Sequence, residues 1–206
     1  MVVGENFVWV HFPKCGGHTV ESALRRAMRG SRDVAFDKRW PFHPGWHDTP
    51  ADRSRRDQGF DPHGKIVISG IRRLPSWLLS RIHYEASRPP YHCATREMFS
   101  RGRFFEQNGS VGWADEHVER FVASGVQRWI RLEHLAEDFA RHFSDLLGRR
   151  TEAAAGKLRR VLNPTEIQYL KRLDFYFTPR EIDALYAANP AWAAVERQVY
   201  GDTLRL

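Results

Sequence analysis

The sequence predicts an α/β fold with a central parallel sheet, and three observations point that way. The apolar runs Phe7–Phe12 and Lys65–Gly70 each lead through a polar or basic loop into a stretch with helical spacing. A third run, Val126–Leu132, precedes an amphipathic segment. Strands alternating with helices imply a three-layer arrangement in which the sheet is covered on both faces and ligands sit at the carboxyl ends of the strands. With 206 residues, 42% hydrophobic and 13% aromatic, one domain spanning residues 1–206 is expected, and global disorder is excluded.

Taken in order, Phe7–Phe12 is a β-rich run stopped by Pro13, which cannot continue a central ladder. After the loop Pro13–His18, the spacing of Val20, Ala23, Leu24, Ala27 and Met28 is helical, with His18 or Thr19 near the cap and arginines toward the far end. Residues 31–64 contain Pro41, Pro44, Gly45, Pro50 and Gly59 and no clean period, which reads as an irregular functional connection with a short helix near Ala51. Lys65–Gly70 is the second strand, and Pro75, Trp77, Leu78 and Ile82 suggest the helix after it. Residues 88–112 read as loops, Trp113–Ala123 as a helix and Val126–Leu132 as a strand, while Leu135, Phe139, Phe143, Leu146 and Leu147 line one helix face. Asn163-Pro-Thr-Glu166 and Thr178-Pro-Arg-Glu181 have the form of capping boxes, and Asn189-Pro190 keeps their first two residues, so the C-terminal third is expected to be helical.

Lys and Arg number 32 against 25 Asp and Glu, a formal charge of +7 that asks for an anionic partner. Two cysteines, Cys15 and Cys93, make neither a disulfide framework nor a zinc-type spacing. The residues from Met1 to Phe12 lack a basic region and a cleavage site, and no stretch approaches 18 apolar residues, so a soluble, cytoplasmic protein in a reducing compartment is expected.

The loop Pro13-Lys-Cys-Gly-Gly-His-Thr19 is the most informative stretch. Its glycines let the main chain approach a ligand, the amides of Gly17, His18 and Thr19 would open a helix, and Lys14 adds a charge beside that phosphate cradle. An ordinary strand-to-helix turn with a solvated lysine is the alternative. No Gly-Lys-Ser/Thr follows, which disfavours an ATP-type loop and a P-loop-like nucleotide kinase, and Val20 and Glu21 stand where a cysteine phosphatase would need arginine. Cys15 reads as the loop's small residue.

Val8 to Leu24, with its strand, Pro-Lys-Cys-Gly-Gly loop and helix, resembles the 5′-phosphosulfate loop of sulfotransferases that use 3′-phosphoadenosine 5′-phosphosulfate (PAPS). The resemblance implies a P-loop-like sulfotransferase fold. It also implies that Lys14 contacts the transferring group and leaving phosphate, and that Cys15, Gly16, Gly17, His18 and Thr19 surround the 5′-phosphate. His18 stands where the family usually has Thr. The family's second element, a strand ending in Arg with a Ser about eight residues on that together grip the 3′-phosphate, resembles Ile66 to Ser80: Arg72 has the spacing to Ser80 and is the favoured arginine, whereas alignment on Pro75 selects Arg73, which is expected nearby. The stretches Trp129–Glu133 and Asn163–Tyr200 are similar to the family's late strand and helical tail.

The resemblance further implies a base for the acceptor hydroxyl. His47, in Gly45-Trp-His-Asp-Thr-Pro, is the first candidate, with an ordinary pKa suited to the task. Glu21 is the competitor, although its offset from Lys14 is seven where other branches have eight. His43 and His47 are four apart, but Pro44 and Gly45 break the helix a metal pair would need, so no metal is expected. Trp40, Phe42, Trp46 and Phe60 read as core before stacking surface. The expectation is sulfuryl transfer from PAPS to a carbohydrate, glycolipid, phenol or natural-product hydroxyl, releasing 3′-phosphoadenosine 5′-phosphate. The alternative from another class is a basic nucleic-acid-binding module, against which the charges are dispersed and no recognition motif appears.

Overall fold

In the computed structural model, residues 1–37, 45–156, 158 and 168–206 are described. In chain order the elements are β1 (Val2–Gly4), β2 (Phe7–Val10), α1 (Gly17–Ala27), β3 (Val34–Phe36), α2 (Pro50–Arg56), β4 (Ile66–Ile71), α3 (Leu74–Ala86), α4 (Arg96–Ser100), β5 (Arg103–Phe105), β6 (Val111–Trp113), α5 (Ala114–Ala123), β7 (Arg128–Arg131), α6 (Leu135–Leu147), α7 (Arg150–Ala155), α8 (Leu173–Tyr176), α9 (Pro179–Ala188) and α10 (Pro190–Tyr200). They form two compact units, one of Met1–Ile71 with Phe121–Asn163 and one of Arg72–Arg120 with Pro164–Leu206. Among the described residues no helix is long and apolar enough to cross a membrane.

The first unit holds a five-stranded sheet in the order β3-β1-β2-β4-β7. β2 runs parallel to β4, from Phe7 opposite Ile66 to Val10 opposite Ser69, and β4 runs parallel to β7. The expected wholly parallel sheet is corrected at one edge, because β1 is antiparallel to both β2 and β3. Only Glu5 and Asn6 join β1 to β2, and a connection that short permits an antiparallel pair alone. Phe7, Trp9, Ile68 and Ile130 cluster with Val20 and Leu24 of α1, Phe139, Phe143 and Leu147 of α6, and Ala154 of α7. Phe143 meets Phe7 edge-on at 5.4 Å and lies 4.6 Å from Phe139, so burying its ring contributes about 1.5–3 kcal/mol. α2 is the short helix expected near Ala51. The Thr49 hydroxyl accepts from the Asp52 amide and the Asp52 carboxylate accepts from the Thr49 amide, with Pro50 in the first turn.

In the second unit, Trp77 of α3 packs against Phe104 of β5 at 5.3 Å and Trp192 of α10 at 4.6 Å. Residues 88–112, expected to be loops, contain α4 and the β5–β6 hairpin. The Thr95 hydroxyl caps α4 by accepting from the Met98 amide, and the two three-residue strands are too short to show a period. The capping box at Thr178 and Glu181 opens α9 as expected, whereas the one at Asn163–Glu166 lies outside the described residues. Asn189 does not cap α10; its amide donates to the carbonyls of Leu185 and Arg101. Asp115 takes the cap instead, accepting from the amides of Ala191 and Trp192 at 2.9 and 2.8 Å.

Candidate functional site

β2 ends at Val10, and the chain passes through buried His11 and Phe12 into the loop at the strand's carboxyl end. Lys14 takes a left-handed backbone, φ 61°, and Gly16 another, φ 79°. A residue with a Cβ costs about 1–2 kcal/mol there, so holding Lys14 in that conformation spends stability on aiming this part of the loop. Gly16 is the N-cap of α1, which begins at Gly17, two residues before the start expected at Thr19; a glycine can turn left-handed and needs no capping side chain to do it. Gly17 is required by close approach, because a Cβ there would lie 2.7 Å from Nδ1 of His11. On the neighbouring strand, a Cβ on Gly70 would lie 2.6 Å from the Cys15 carbonyl, so β4 is bare where the loop crosses it.

The loop amides are not equivalent. The Thr19 amide donates to the Gly16 carbonyl at 2.9 Å, so it is engaged within the first turn. Among the described residues the Gly16 and Gly17 amides have no acceptor, as first-turn donors of a helix usually do not. Cys15 is in no disulfide and is 1% exposed, in keeping with a packing role.

Beneath the loop lies a polar cluster that sequence reasoning missed. The His11 ring is 1% exposed, with Nε2 3.1 Å from Oε2 of Glu21 but off the line a hydrogen bond needs, so neither ring nitrogen is hydrogen-bonded among the described residues. Burial pushes the His11 imidazole down to about 4, against the pull of the Glu21 carboxylate. Glu21 is itself buried and accepts from Nε of Arg25 at 2.7 Å. Burial alone would push its carboxyl up, but His11 and Arg25 outweigh that and hold it below the usual carboxylate range. A carboxylate so enclosed neutralises its neighbours; to act as a base it would first have to leave them. The signal for this cluster was a histidine inside an otherwise apolar strand run.

His47 is exposed on the segment before α2, and its Nδ1 lies 2.9 Å from the His11 carbonyl. Trp46 is 3% exposed and packs edge-on against His11 at 4.4 Å and stacked on His18 at 4.9 Å, as the core reading of that tryptophan expects. Phe60 lies under the Arg53 guanidinium, whereas Trp40, Phe42 and His43 lie outside the described residues. Lys14, Cys15, Gly16, Gly17, His18, Thr19, Glu21 and His47 all belong to the first unit.

Arg72, Arg73 and Ser80 belong to the second unit, and the two arginines differ. Arg73 pairs with Glu196 at 3.1 Å and Asp202 at 2.7 Å, and its guanidinium lies 4.0 Å from the Tyr200 ring centroid. Among the described residues the Arg72 guanidinium has no hydrogen-bonding or ion-pairing partner, and neither does the buried Ser80 hydroxyl. No group of three or more His, Cys, Asp and Glu side chains is placed to hold a metal ion among the described residues. Comparisons with protein-family models, curated proteins and solved structures find no match for the chain.

Proposed function

We propose that this chain is a sulfotransferase that moves the sulfuryl group of PAPS to a hydroxyl acceptor, on the three-layer, P-loop-like fold its loop resembles. The observation that carries the reading is the β2–α1 loop. A lysine in left-handed backbone and two glycine amides without an acceptor among the described residues stand at the carboxyl end of β2, which pairs in parallel with β4. A bare glycine cradle and a cation fit a 5′-phosphosulfate, and helix-start amides favour an anion over a neutral group. Arg72 supports the same reading, its guanidinium and the Ser80 hydroxyl eight residues on being without a partner among the described residues.

When bound, PAPS supplies an activated sulfuryl group joined to a phosphate that leaves with the nucleotide. Lys14 and the amides of Gly16 and Gly17 would offset the charge that grows on the bridging oxygen as its bond to sulfur breaks. Arg72 and Ser80 would hold the 3′-phosphate. His47 would accept the acceptor's hydroxyl proton at Nε2 while the acceptor oxygen bonds to sulfur, since its Nδ1–H is committed to the His11 carbonyl. Glu21 would not act as the base; it is buried between His11 and Arg25 beneath the loop. A hydroxyl of a carbohydrate, glycolipid or small natural product is the proposed acceptor class.

Calorimetry with 3′-phosphoadenosine 5′-phosphate tests the reading. Micromolar binding that falls at least tenfold in Lys14→Ala and in Ser80→Ala is expected. Absence of binding at high micromolar concentration, or equal binding of ATP, sinks it, and a salt-dependent shift of random RNA or DNA would favour a nucleic-acid module instead.

A further inference from the structure

We infer that Glu196 is a positioning residue for Arg72, locking Arg73 away so that Arg72 is the arginine presented to an anionic ligand; this rests on the sulfotransferase reading.

Two adjacent arginines leave β4, and either could grip a phosphate by charge alone. Geometry separates them. Nη1 of Arg73 donates to Glu196 Oε2 at 3.1 Å and to the Asp202 carbonyl at 2.6 Å, and Nη2 donates to Asp202 Oδ1 at 2.7 Å. Both terminal nitrogens of that planar fork donate, and two carboxylates more than offset its charge. The lock is anchored from the inside. Glu196 is 0% exposed, and besides Arg73 it accepts from the Tyr186 hydroxyl at 2.9 Å and from the Leu74 amide, the first amide of α3. A buried carboxylate with a charged donor and two neutral ones is fully satisfied, so it has no tendency to release Arg73.

The same helix also holds Arg72 by its backbone. One turn before Glu196 on α10, Trp192 donates its indole N–H to the Arg72 carbonyl at 3.2 Å. The segment Arg72-Arg73-Leu74 is thus pinned at three successive residues by α10: a carbonyl, a guanidinium and an amide. With its main chain fixed and its neighbour tied back, the Arg72 side chain is left to the ligand. Asp202 closes the lock from the surface, where it is 69% exposed.

The test compares ligands that differ by one phosphate. Affinities for 3′-phosphoadenosine 5′-phosphate and for adenosine 5′-phosphate are measured by calorimetry in the wild type, Glu196→Gln, Arg72→Ala and the double variant. Glu196→Gln is expected to cut the preference for the 3′-phosphorylated nucleotide about tenfold while leaving adenosine 5′-phosphate affinity unchanged, a split that general loosening of the fold would not produce. Arg72→Ala should abolish the preference, and Glu196→Gln should add nothing in that background. Asp202→Asn, at an exposed position, should move the preference the same way by about threefold, and it keeps the test open should Glu196→Gln not fold. An unchanged preference in Glu196→Gln or, failing that variant, in Asp202→Asn overturns the inference, as does loss of preference in Arg73→Ala but not in Arg72→Ala. Absence of nucleotide binding by the wild type removes the sulfotransferase reading and this inference with it.

Discussion

His47 donates its Nδ1–H to the main-chain carbonyl of His11 across 2.9 Å. A carbonyl can only accept, so the bond selects one tautomer and puts the basic lone pair on Nε2. The side chain is exposed and the residue that orients it is buried, an arrangement suited to handing a proton between substrate and solvent.

His47→Asn should therefore separate holding from proton transfer. Its amide N–H can still reach the His11 carbonyl, but no base is left. Turnover is expected to fall about 10²-fold or more, with affinity for 3′-phosphoadenosine 5′-phosphate unchanged. Steady-state rates with an acceptor hydroxyl, set beside calorimetry, read both quantities, and undiminished turnover would take the base role from His47.

Gly17→Ala should distort the cradle. The added methyl would lie 2.7 Å from Nδ1 and 3.0 Å from Cγ of a buried ring against which Trp46 packs edge-on. Overpacking of this kind costs about 1–3 kcal/mol, and the backbone that moves is the one proposed to hold the 5′-phosphate. Denaturation midpoint and nucleotide affinity should both drop, and adding His11→Ala should restore part of the stability. Additive losses in the double variant would show that the ring is not what the methyl meets.

What was legible in the sequence was local. Val8 and Val10 in a β-rich run, the helical spacing of Phe139 and Phe143, and the capping box at Thr178 each depend on residues within a few positions of one another. What was not legible depends on distant partners. β1 and β3 have three residues each and exist through pairing with each other, and β1 also with β2, so no period marks them. His11 was lost inside an apolar run because the chain does not announce that Glu21 will fold beneath it. The spacing to Ser80 favours Arg72 over Arg73, but no local feature announces that Glu196, more than 120 residues away, holds Arg73.

The capping of α10 is a further long-range case and carries its own prediction. Asp115 accepts both first-turn amides of that helix from 76 and 77 residues away, and it is 4% exposed. Asp115→Ala removes both acceptors and should cost about 1–2 kcal/mol, seen as a lower denaturant midpoint. Asp115→Asn keeps one carbonyl oxygen and should cost less. A neutral Asp115→Ala would mean that water satisfies those amides.

Acid stability should report on His11. Burial pushes its folded-state value down to about 4 from the ordinary 6.5, so between those values the unfolded chain binds the proton and the folded chain does not. The contribution is whole above about pH 7 and is lost as pH falls through 6.5 toward 4, about 2 kcal/mol of it by pH 5. Glu21, held below the usual carboxylate range, adds to the slope in the same sense only toward the acid end of that window, where the unfolded carboxyl takes up its proton first. His83 and His142 are lowered by burial in the same sense, so the wild type alone would not isolate the effect. The measurement is the difference in unfolding free energy between pH 7 and pH 5 in the wild type and in His11→Gln. The variant should lose about 2 kcal/mol less over that interval, and equal slopes would mean that the ring is protonated in the folded protein, with Glu21 as its counter-ion.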